Sequence, residues 1–208
     1  MGDPVGLALV LAFDASASVN PREFGLILGG TAEAFRAPEV VSALPPDGMA
    51  AAATFWSGRG AQEVAVEWRT IRTPDDAAAF ADAIENAPRT IPAGATALGE
   101  ALRHAMELLA RVPFTPARAV IDIAGDGRSN AGILPAPVRD AAAAVGIGIN
   151  GLAILDEEPD LLDHYTGELI TGPQAFAMPV ASYDDFAVAM RRKLVREIAR
   201  HAIPYVPA

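Results

Sequence analysis

The stretch Val5-Gly6-Leu7-Ala8-Leu9-Val10-Leu11-Ala12-Phe13-Asp14-Ala15-Ser16-Ala17-Ser18 reads as a buried strand that ends in a polar loop. Val5 to Phe13 is almost continuously apolar, and the polarity switches at Asp14. A run without alternation suits a strand covered on both faces, as at the centre of an α/β sheet. A helix is expected next. Asn20 is a good N-cap, Pro21 fits the first helical position, and Glu23 can close a capping box. Phe24, Ile27, Leu28, Thr31 and Phe35 recur on one helical face, and Pro38 limits the length.

The same alternation continues outward. Met49 to Trp56 reads as a second strand. Gln62 to Trp68 reads as an antiparallel edge strand joined to it by the short turn Ser57-Gly58-Arg59-Gly60, with Val64, Val66 and Trp68 on one face. Thr73-Pro74-Asp75-Asp76 starts a helix. A further helix is expected from about Thr96 to Arg111, then a strand over Ala117 to Ala124, a helix over Pro135 to Val145 and a strand over Ile147 to Leu155. A short helix near Leu161 to Tyr165, a strand near Phe176 to Val180 and a last helix over Tyr183 to His201 come next, the last opened by a Ser182–Asp185 capping box. The expected fold is α/β: a doubly wound, mostly parallel sheet with one antiparallel edge strand and helices on both faces, Rossmann-like in layout. No linker or repeat divides residues 1–208, so a single domain is expected.

Composition narrows the function. Apolar residues make up 51% of the 208, enough for a large core, and a formal charge of -10 argues against nucleic acid or an anionic membrane surface as a partner. There is no cysteine, which excludes disulfides, thiol catalysis and cysteine-held zinc. No apolar run is long enough for a membrane span.

In open α/β sheets, ligands bind beyond the C-terminal ends of the strands, at a topological switch point. Two oxygen-rich loops lie at such ends, Asp14-Ala15-Ser16-Ala17-Ser18 and Gly125-Asp126-Gly127, and Gly94-Ala95-Thr96 opens a helix. Asp, Ser and Thr offer hard oxygen ligands that suit Mg2+, Mn2+ or Ca2+. Two carboxylates with three hydroxyls leave such an ion partly uncompensated, so an incoming carboxylate could complete its shell.

Asp14-x-Ser16-x-Ser18, then Thr96, then Asp126, each after a matching element and in matching order, resembles the metal-ion-dependent adhesion site of von Willebrand factor A domains. The resemblance runs from Val5 to about Ala199. It implies that Ser16, Ser18 and Thr96 contact a divalent cation, Mg2+ foremost, by hydroxyl, and that Asp14 and Asp126 reach it directly or through water. It also implies a protein partner that offers an Asp or Glu carboxylate. Val120 to Asn130 is similar to a bacterial branch of that superfamily known as a domain of unknown function and usually exported, which implies a periplasmic or secreted location. Met1-Gly2-Asp3-Pro4 lacks the basic region of a signal peptide, so a cytoplasmic location is the alternative.

Other features have plainer expected roles. Asp122 interrupts an apolar strand and should pair with a basic or hydroxyl group rather than hold the ion. Ser129 and Asn130 should brace the Asp126 loop, and Gly125 and Gly127 should serve its turn. His104 is expected to face solvent, and His164 and His201 lack ligand spacing. The acidic run Asp156 to Asp160 and the basic set Arg191, Arg192, Lys193, Arg196 and Arg200 are expected to be solvated, the former at the edge of the ion face. A magnesium-dependent hydrolase using Asp14 as nucleophile is an alternative function, weakened because Ser16 stands where a second carboxylate is needed. A structural subunit whose metal-filled site binds no partner is another. No residue is assigned a catalytic role, and the chain is expected not to be an enzyme.

Overall fold

A computed structural model describes residues 2–199. The strands and helices, in chain order, are β1 (Pro4–Val5), β2 (Leu7–Asp14), α1 (Pro21–Arg36), α2 (Pro38–Ser42), β3 (Met49–Trp56), β4 (Gln62–Ile71), α3 (Pro74–Glu85), α4 (Leu98–Leu109), β5 (Thr115–Pro116), β6 (Ala119–Gly125), α5 (Pro135–Ala144), β7 (Ile147–Ile154), α6 (Leu161–Glu168), β8 (Ala177–Val180) and α7 (Phe186–Ile198). The main sheet has the order β4-β3-β2-β6-β7-β8, and only β4 is antiparallel to its neighbour. The chain leaves β2 toward β3 on one side and returns to β6 on the other. The switch point therefore lies between the ends of β2 and β6, where Asp14 and Asp126 stand.

All residues of β2 are buried, as the unbroken apolar run requires. Leu7, Leu9, Leu11 and Phe13 face a layer of α1, α3 and α7, packing with Ile27, Phe35, Phe80, Phe186 and Leu194. Ala8, Val10 and Ala12 face the opposite layer of α4, α5 and α6, with Leu98, Leu102, Ala142 and Leu161. Each large side chain removed from water in this way contributes roughly 1.5–3 kcal/mol.

Several details differ from expectation. The first run is split at Gly6, whose N–H donates to the Gly48 carbonyl; the two residues before it pair with Thr115–Pro116 in a separate small sheet. The pairing of β3 with β4 shifts register twice. Each shift inserts a residue and reverses the facing of the residues beyond it, so Val66 joins the α1 and α3 side while Val64 and Trp68 lie on the α4 side. Helix α4 begins at Leu98, not Thr96, because the Thr96 backbone is engaged elsewhere. Helix α6 extends to Glu168. The Asn20 capping box is formed as expected, and Thr73 forms a second one with Asp76. Ser182 makes no such cap: its hydroxyl meets the Asp185 side chain at 3.1 Å, and a 3-10 turn, Tyr183–Asp185, precedes α7. Arg200 and His201 lie outside the described residues. Among the described residues no helix is long and apolar enough to cross a membrane.

Candidate metal centre

The loop after β2 turns back on its own acid. Asp14 Oδ1 accepts the Ser16 N–H at 2.7 Å, which bends the chain so that the Ser16 and Ser18 hydroxyls meet at 3.1 Å. The Ser18 hydroxyl then donates to Asp126 Oδ1 at 2.8 Å, joining the end of β2 to the loop after β6. Thr96 is tied to that second loop. Its N–H donates to Asn130 Oδ1 at 2.8 Å, and its carbonyl accepts the Asn130 N–H at 2.9 Å. Asn130 thus supplies the expected brace. The Ala17 N–H donates to the Gly94 carbonyl at 2.8 Å and brings the Gly94–Thr96 segment against the first loop. Asp14, Ser16, Ser18 and Asp126 form one hydrogen-bonded chain, with Thr96 on the same loop cluster.

Arg89, from the segment between α3 and α4, holds the first loop from below. Its guanidinium donates to the carbonyls of Ala15, Ser16 and Val19 at 2.8–3.0 Å and lies 5.1 Å from the centre of the Phe24 ring. Tyr183 donates its hydroxyl to Asp126 Oδ2 at 2.7 Å. Neither residue stands out in the sequence, because each acts across a long separation and carries no local motif.

Asp14 is fully buried, and its Oδ2 has no hydrogen-bond partner among the described residues. The Tyr165 hydroxyl nearby is in the same condition. Burial, then the charge of Asp126, pushes the Asp14 carboxyl up to about 7, although the bonds from Ser16 and the charge of Arg89 oppose the shift. Burial and the charges of Asp14, Asp126 and Glu158 also raise the Tyr165 phenol. A buried, unpaired carboxylate oxygen is costly, and a cation relieves that cost. The oxygen-only donor set fits a hard divalent ion. Among the described residues no group of three or more His, Cys, Asp or Glu side chains could hold an ion, so the hydroxyls are essential to this reading.

Gly125 has a role different from the expected one. Its φ is not positive, and a Cβ there would stand 2.8 Å from Asp14 Oδ2 and 2.9 Å from the Tyr165 hydroxyl. The residue provides clearance, not a turn. The acidic run borders the site and is partly paired: Arg128 bonds Glu158 at 3.0 Å and Asp160 at 2.5 Å. A Cβ on Gly127 would lie 3.6 Å from Thr96 Oγ1 and 3.7 Å from Glu158 Oε1.

Asp122 lies away from the loops, in an ion pair with the buried Lys193 of α7. Lys193 is therefore not part of a solvated basic face. Glu197, one turn further along α7, is also buried and bonds Arg118 at 2.6 Å and Asn150. His104 is half-buried with its Nε2 shielded, not solvent-facing.

The family model described as "Protein of unknown function (DUF1194)" matches residues 4–202. None of the curated proteins matches in sequence. Several solved structures are similar. Proximal thread matrix protein 1 from the mussel byssus, with a zinc-occupied MIDAS motif (the metal-ion-dependent adhesion site), has 15% identity and a TM-score of 0.64 over 95% of this chain and 49% of that one. The pilus adhesin SpaC from Lactobacillus rhamnosus GG has 14% identity and a TM-score of 0.68 over 94% and 31%. The von Willebrand factor type A structure from Catenulispora acidiphila has 15% identity and a TM-score of 0.65 over 93% and 43%. At these identities the likeness is one of fold. The chain spans about half the length, or less, of these three.

Proposed function

Because the chain belongs to the family described as "Protein of unknown function (DUF1194)" and has the von Willebrand factor A fold, we propose that it is a binding module, not an enzyme, that captures a protein carboxylate through a divalent cation. Asp14, Ser16, Ser18, Thr96 and Asp126 would hold the ion, with Mg2+ the preferred species. The carrying observation is the hydrogen-bonded chain from Asp14 to Asp126 with the Asp14 Oδ2 atom buried and unpaired inside it. The ion supplies a Lewis-acidic position for an external Asp or Glu oxygen. The protein residues orient the donors: Ser16 fixes Asp14, Asn130 fixes Thr96, and Arg89 holds the loop. The adhesin and byssus proteins with this fold support an interaction role. The former supports a location outside the cytoplasm.

Titration calorimetry with Mg2+ tests the ion. Saturable heat is expected for the wild type and none for Asp14→Ala combined with Thr96→Ala. An immobilised array of peptides, each with a central Asp or Glu, tests the partner chemistry. Retention on Mg2+-saturated protein with release by chelator is expected. A wild type that binds no ion, or a double variant that binds as well as wild type, sinks the reading.

A further inference from the structure

The two acids of the site are held in different ways. Asp14 has one oxygen engaged by the Ser16 N–H and one oxygen free of partners. Asp126 has both oxygens engaged, Oδ1 by Ser18 and Oδ2 by Tyr183. The two donors to Asp126 are unequal. Ser18 is half-buried, and its hydroxyl can turn to offer a lone pair, with Ser16 as an alternative partner. Tyr183 is only 4% exposed, so a phenol that lost Asp126 would have no water to replace it. Its position is set by the turn before α7, where the neighbouring Asp184 pairs with Arg22.

Cations differ in what they ask of a carboxylate. Ca2+ accepts six to eight oxygens in flexible geometry and commonly takes both oxygens of one carboxylate, whereas Mg2+ keeps an octahedral shell with single oxygens and water. We propose that Tyr183 is a specificity-determining residue of the ion site: by occupying Oδ2 of Asp126 it denies a cation both oxygens of that carboxylate and so favours Mg2+ over Ca2+. The inference rests on the reading of the site as a cation site. It adds a residue to the five of the sequence pattern and gives that residue a selective role.

The test is calorimetry with Mg2+ and Ca2+ on wild type and Tyr183→Phe, which keeps the ring in the core and removes the donor. The ratio of the two affinities is the readout, because a packing defect weakens both ions alike. A shift of the ratio toward Ca2+ by roughly tenfold, the scale of one hydrogen bond, is expected. Wild type that binds ions, with a ratio unchanged in Tyr183→Phe, overturns the inference and leaves the site reading intact. Wild type that binds neither ion overturns both. Should Tyr183→Phe fail to fold, Tyr183→Met, which also keeps an apolar side chain in the core and removes the donor, carries the test. A ratio moved toward Ca2+ in that variant supports the proposal, and an unchanged ratio contradicts it.

Discussion

At Gly125 the absence of a side chain is what lets Asp14 and Tyr165 point inward over β6. The Asp, Ser and Thr positions were legible because their chemistry and their places at element ends coincide. Gly125 was legible as a glycine and misread in purpose, since its backbone angles are ordinary and only the folded neighbours reveal the crowding. Arg89 and Tyr183 were not legible: they act on residues 70 and 57 positions away, across contacts that no local pattern announces. His104 gives a test at this scale. Burial depresses its pKa below the ordinary value. As pH falls, the unfolded chain takes up the proton first, so the stability present above the unfolded pKa is lost as pH falls through the folded one. From about pH 7.5 down to about pH 5 the denaturation midpoint of the wild type should fall relative to that of His104→Gln, a comparison that cancels the opposite contribution of the buried Asp14 and Asp122 carboxyls. Parallel slopes would remove His104 from the account.

Helix α7 joins the sheet through a polar seam as well as an apolar one. Met190, Leu194 and Ile198 enter the core, while Lys193 meets Asp122 and Glu197 meets Arg118 and Asn150. Asp122 and Asn150 are neighbours across β6 and β7, which places the seam on adjacent strands. Removing one partner of a buried pair leaves a charge without compensation, so Lys193→Met should cost about 3–5 kcal/mol in chemical denaturation. Combining it with Asp122→Leu should recover most of that loss, because an apolar pair of similar volume is often as stable as the ions it replaces. A double variant as unstable as the single one would show that the pair does not act as a unit. The sequence pointed to a partner for Asp122 but not to Lys193, which sits within a run of basic residues that looks solvated. Element order and type were legible from apolar periodicity and caps for the six strands of the main sheet and for α1 and α3 to α7, but not for α2 or for the small sheet of β1 and β5. The register shifts in β4 were not, because an inserted residue leaves the composition of the strand unchanged.

Across the whole molecule, one six-stranded sheet carries both helical layers, and β2 contributes to both cores. We expect a single cooperative unfolding transition by circular dichroism and fluorescence in chelator, because both layers pack on that one sheet. Saturation with Mg2+ should then raise stability by mass action, by about 2.7 kcal/mol at one hundred times the dissociation constant. Separate transitions for the two probes would divide the chain into independent units. The order of charges on α7 has a further consequence at this scale. Lys193 and Glu197 are about one turn apart, and a slide of about 6 Å toward the loops would set Glu197 where Lys193 now stands, against Asp122. Two acids would then share a space closed to water. The helix is keyed like a lock with one permitted setting, and an error of a single notch is rejected by its own charges. The phenol of Tyr183, at the upper end of that key, is thereby gauged against the loop that carries Asp126 by a pairing ten residues away.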